Sequence, residues 1–104
     1  MFGLVVRFEL KDEESAAGFD ALVAETAPKI QSEEPGTLIY IVHTVADSPL
    51  SRVFYEVYRD RQAFEDHESQ PHVKRFLAER EQYLDTYRVE FVEPTSGKGL
   101  IESE

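Results

Sequence analysis

Residues 37–46, Thr-Leu-Ile-Tyr-Ile-Val-His-Thr-Val-Ala, constrain the fold of this chain more than any other stretch. In an extended strand successive side chains point to opposite faces, so Leu38, Tyr40 and Val42 lie on one face and Ile39, Ile41 and His43 on the other. Both faces are mainly apolar, and both therefore need a cover. The flanking segments supply one. Residues 2–10 alternate and are rich in Val and Phe, which reads as a first strand. Asp12 then caps a helix with the stripe Phe19, Leu22, Val23, Thr26, Ala27 and Ile30, and Glu13 and Glu14 suit the positive end of its dipole. Pro28 should kink or loosen the last turns, because it has no N–H and crowds the carbonyl of Ala24. Pro35-Gly36 stops the helix.

After the two-faced strand, Asp47-Ser48-Pro49 makes a turn in a loop longer than a tight hairpin, and residues 52–59 return as a third strand. Asp60 caps a short helix over 61–69. Pro71 opens another, with the stripe Val73, Phe76, Leu77, Arg80 and Leu84. Residues 86–92 form the last strand, with Tyr87, Val89 and Phe91 on one face and Arg88 and Glu90 on the other. The order β-α-β-β-α-β, its second helical region in two pieces, predicts an α+β, ferredoxin-like subunit: a four-stranded antiparallel sheet with helices on one face. This single domain covers 1–94, and 95–104 reads as a flexible acidic tail. The helices account for one apolar face of the central strand. A second subunit packed sheet to sheet accounts for the other, which predicts a two-fold homodimer.

With 21 Asp and Glu against 11 Lys and Arg, the net charge is −10. Such a surface repels phosphate backbones and anionic membranes, so neither nucleic acid nor membrane is an expected partner. The chain has no cysteine, which excludes disulfides, thiol catalysis and thiolate metal sites and agrees with a cytoplasmic location. The apolar start, residues 4–6, is broken by Arg7 and soon acidic, too short for a signal peptide or a membrane span.

Chemically capable groups gather in residues 54–67, where a strand runs through the Asp60 cap into a short helix. His67 follows Phe64 by three and Ala63 by four, so it shares their inward face, where it can act as acid, base or hydrogen-bond donor. The same position suits a core histidine satisfied by a neighbour. Glu56 shares a strand face with Phe54 and Tyr58 and is costly to bury unless paired. It can orient His67, or pair with Arg7 or Arg88. Tyr40, Tyr55 and Tyr58 can line a cavity for a flat ring, with Phe64 beside them, or serve as ordinary strand packing. Arg7 can bind an anionic oxygen or a strand carboxylate. His72, in the first turn of a helix, is expected to be partly exposed. A metal site at His67, Glu68 and His72 is not expected, because Pro71 separates the two histidines. No Gly-rich phosphate loop and no nucleophile elbow are present.

Glu34-Pro35-Gly36-Thr37-Leu38-Ile39-Tyr40 resembles the turn-and-strand signature of the antibiotic biosynthesis monooxygenase family. Residues 54–60, then Ala63-Phe64, His67, Ser69 and Pro71-His72, resemble its strand-helix pattern. The resemblance implies a dimeric α/β-barrel of ferredoxin-like subunits. It also implies a monooxygenase that oxidises a small phenolic or quinol-type aromatic with dioxygen, without metal, flavin or haem. His67 and Glu56 would then be catalytic, with Tyr40, Tyr55, Tyr58, Phe64 and Arg7 binding the substrate. The haem-degrading branch of the family uses an Asn, a Trp and a His where this chain has Arg7, His67 and Leu77, and the chain has no Trp, which argues against haem. A non-oxidative isomerase or related acid/base enzyme on a small oxygenated metabolite, and a non-catalytic ligand-binding dimer, stay open.

Overall fold

Two aspartates set where the helices begin. The Asp12 carboxylate accepts from the Ser15 amide at 2.7 Å and the Asp60 carboxylate from the Ala63 amide at 2.9 Å, each satisfying a backbone N–H that has no partner within its helix. The structure, a computed structural model, describes residues 1–99. Its elements are β1 (Phe2–Leu10), α1 (Glu13–Glu33), β2 (Thr37–Val45), β3 (Ser48–Tyr58), α2 (Arg61–Ser69), α3 (Pro71–Glu79) and β4 (Leu84–Val92), with a single 3-10 turn at Arg80–Gln82. The sheet is ordered β2-β3-β1-β4, every neighbouring pair antiparallel, which is the ferredoxin-like arrangement.

The register places Leu4, Val6 and Phe8 of β1 opposite Glu56, Phe54 and Arg52 of β3, all on the face beneath the helices. Phe8, Phe19 and Phe54 are fully buried, and their rings meet at centroid separations of 4.9–5.9 Å. Each such burial contributes roughly 1.5–3 kcal/mol, so this aromatic centre is a main source of stability. It also forms the floor on which the site is built.

Two local expectations change. β3 begins at Ser48, so the hairpin is tight, its turn made by Ala46 and Asp47 with Asp47 at φ 61. The register jumps between Thr44 and Val45, and Pro49 sits in this irregularity, where a missing N–H does not break a ladder. Leu84 belongs to β4 opposite Leu10, because the 3-10 turn ends the helical segment first. α1 remains helical across Pro28 as far as Glu33.

The helices lie mainly over β1, β2 and β3, so the edge strand β4 is only partly covered. Tyr87, Val89 and Phe91 are therefore exposed although they share the helix-side face, and Ile41 is exposed on the opposite face. Among the described residues no helix is long and apolar enough to cross a membrane. Of the expected tail, residues 95–99 carry no regular secondary structure, and 100–104 lie outside the described residues.

Candidate active site

Glu34 is where the site is assembled. It follows the last turn of α1, its amide donating to the Ile30 carbonyl at 3.2 Å, and its side chain folds inward to near-complete burial. Three donors meet it there: His67 Nδ1 at 2.6 Å and the Thr37 hydroxyl at 2.7 Å on Oε1, and His72 Nε2 at 2.5 Å on Oε2. An ionised carboxylate only accepts, so Glu34 requires the proton of His67 to be on Nδ1. In the neutral ring Nε2 of His67 then carries the lone pair, and it makes no hydrogen bond among the described residues. Gly36 permits this assembly. A Cβ there would stand 2.7 Å from the Ala63 Cβ, so only glycine lets the loop carrying Glu34 lie against the start of α2.

His67 lines a cavity of about 100 Å³ between the helices and the sheet. Leu4, Phe54, Val73, Phe76, Leu77 and Val89 give it apolar walls, and Tyr40, Glu56, His67 and Arg80 supply its inward polar groups. His67 also borders a wider cleft of about 320 Å³, lined by Glu34, Thr37, Arg59 and Asp60 among others. That cleft is open and polar. The inner cavity, apolar with converging acid and base groups, is the better reaction site.

Glu56 is buried on β3 and accepts from the Tyr58 hydroxyl at 2.5 Å. Burial pushes its carboxyl up to about 7, against the opposing effects of the Tyr58 hydrogen bond and the Arg80 charge. Burial, followed by the Glu56 charge, raises the phenols of Tyr40 and Tyr58 well above the ordinary tyrosine range. Both therefore stay protonated, and Tyr58 donates to Glu56.

His67, Glu56, Tyr40 and Phe64 thus meet at the cavity, while Tyr58 stands behind it holding Glu56. Arg7 and Tyr55 do not come there. Strand alternation puts both on the opposite sheet face, and Arg7 bonds Glu9 at 2.6 Å and Ser51 at 3.1 Å. The partner of His67 is Glu34 rather than Glu56, and Glu56 pairs with neither Arg7 nor Arg88. His72 is buried instead of partly exposed, because its ring turns in to reach Glu34. No described cluster of His, Asp and Glu is disposed to hold a metal ion: the two imidazoles converge on separate oxygens of Glu34.

Residues 1–79 match the sequence profile described as antibiotic biosynthesis monooxygenase. The chain belongs to that family. Among solved structures it is similar to Rv0793 from Mycobacterium tuberculosis, with a TM-score of 0.84, 22% identity and coverage of 94% of this chain and 98% of that one. A structure named antibiotic biosynthesis monooxygenase gives a TM-score of 0.82, 22% identity and coverage of 92% and 100%. A conserved protein from Methanosarcina mazei Go1 gives 0.83, 18% identity and coverage of 90% and 92%. At these identities the likeness is one of fold. No curated protein sequence matches the chain significantly.

Proposed function

We propose that this family member is a cofactor-independent monooxygenase that oxidises a small phenolic or quinol-type aromatic with dioxygen. The observation that carries the reading is the buried Glu34–His67 pair, which leaves a basic imidazole nitrogen on a residue lining an apolar cavity. His67 Nε2 takes the phenolic proton, and the imidazolium formed is paired with Glu34. The electron-rich phenolate passes one electron to dioxygen, and the radical pair recombines into a ring hydroperoxide. Loss of water then leaves the new carbonyl oxygen on the ring. One hydroquinone and one dioxygen thus give one hydroxyquinone and one water. Glu56 can protonate the departing hydroxide, since burial keeps part of it neutral near pH 7.

Size supports a single-ring substrate. An apolar cavity of roughly 150 Å³ accepts benzene, and this one is about 100 Å³, so a ring enters only if the partly buried Phe64 and Leu77 give way. The same small volume argues against polycyclic phenols and the haem macrocycle. A non-oxidative isomerase draws support from the same two groups, because a base at His67 and a partly neutral acid at Glu56 suit a proton shuttle. Oxygen uptake with a panel of single-ring quinols separates the two readings. Uptake that vanishes in His67→Ala supports the oxygenase, and uptake unchanged by that substitution refutes the mechanism.

The chain works, in this reading, as a homodimer. The exposed Tyr87, Val89 and Phe91 of β4 form an apolar strip that a second copy would remove from water, and Ile41 is exposed separately, at the other edge and on the opposite face.

A further inference from the structure

Arg80 Nε is the one buried side-chain nitrogen or oxygen among the described residues that has no hydrogen-bond partner. Its guanidinium lies 5.3 Å from the Phe8 ring centroid, 5.9 Å from that of Phe76 and 5.0 Å from that of Tyr87. Three rings hold the cation in place without offering it a lone pair. Other arginines are differently served: Arg52 binds both oxygens of Asp20 at 2.9 Å, and Arg75 binds Glu25 and Glu79. In a chain with 21 acidic residues, a guanidinium that lines a cavity and makes no ion pair among the described residues is the cation a ligand's anion would meet there.

The remaining groups of the cavity agree. The ionisable side chains lining it with Arg80 are Tyr40, Glu56, His67 and the exposed Glu68. Tyr40 stays protonated, Glu68 reaches solvent, and Glu56, though it feels the Arg80 charge, is partly neutral near pH 7 and makes no ion pair with the guanidinium. The planar N–H fork of arginine matches a carboxylate, which accepts two parallel hydrogen bonds from it.

We propose that Arg80 binds the carboxylate of a small planar acid inside the cavity. The proposal rests on the cavity being the substrate site and narrows the substrate class to unsaturated or aromatic carboxylic acids of at most one ring. A phenol on such a ring would then face His67 while its carboxylate is held at Arg80.

Binding tests this without dioxygen. Benzoate and the smaller crotonate, each beside its neutral amide, are titrated into the protein at pH 6.5 and followed by NMR shifts of the cavity residues. Each acid is expected to bind roughly tenfold or more tightly than its amide. Arg80→Gln should erase that preference while leaving amide binding in place, and Arg80→Lys should keep part of it. Should Arg80→Gln fail to fold, Arg80→Lys and the acid-against-amide comparison in the unaltered protein decide the matter. Equal binding of acid and amide overturns the proposal and leaves the oxygenase reading standing. Binding of neither probe overturns it too. Selective acid binding without any oxygen uptake upholds Arg80 and tells against the oxygenase.

Discussion

Replacing Glu56 by Gln tests whether a buried carboxyl governs the pH dependence of stability. Gln keeps the shape of the side chain and an oxygen to accept from Tyr58, but it cannot ionise. Burial raises the Glu56 carboxyl from an ordinary 4.5 to about 7. Ionisation is thus easier in the unfolded chain than in the fold. The stability this group contributes is fully present below pH 4.5 and is lost as pH rises through about 7. Each pKa unit corresponds to about 1.4 kcal/mol, so the whole loss comes to roughly 3 kcal/mol. Glu56→Gln should match the parent near pH 4.5 and exceed it by roughly 3 kcal/mol at pH 8. For a chain of this size the gain is about 10 °C or more in Tm. Urea unfolding at pH 4.5, 6 and 8, at one protein concentration so that association does not intrude, measures it. A parent-minus-variant difference that stays constant across these pH values would refute the reasoning.

Two further perturbations probe how the site is held. Gly36→Ala puts a Cβ 2.7 Å from the Ala63 Cβ, so it should destabilise by roughly 1–3 kcal/mol and disturb the Glu34–His67 hydrogen bond. The pair Gly36→Ala with Ala63→Gly removes that contact and should recover part of the loss; unfolding measurements showing the pair no better than the single change would contradict the packing account. Phe91→Ser should weaken self-association, read as molar mass by light scattering across a dilution series. A parent that is monomeric at every concentration would rule out the dimer.

What could be read from the sequence was mostly local. The Asp12 and Asp60 caps, the alternation of β1 and β3 and the Pro71 helix start depend on near neighbours, and each fell where local chemistry placed it. The hairpin was misread because a strand irregularity at Pro49 looks like loop in one dimension. Parity alone separates Tyr55 from Glu56 and Tyr58, so grouping the three tyrosines of β2 and β3 around one cavity overlooked a signal already present. Glu34 gave a weaker signal. An acidic residue ahead of Pro35-Gly36 looks like a solvated helix end, and only the approach of α2 and α3 turns it inward to two histidines. Arg80 was legible as an arginine on an apolar stripe, but its lack of a carboxylate partner emerges only when the sheet and α3 meet.

The central claim is that Glu34 fixes the tautomer of His67 and so leaves a basic nitrogen free at the cavity. Long-range proton–nitrogen NMR correlation on labelled protein, with His67 neutral, reads that tautomer directly. The account predicts a protonated Nδ1 and an unprotonated Nε2 in the parent, with this state lost in Glu34→Ala. A parent His67 carrying its proton on Nε2 would contradict it.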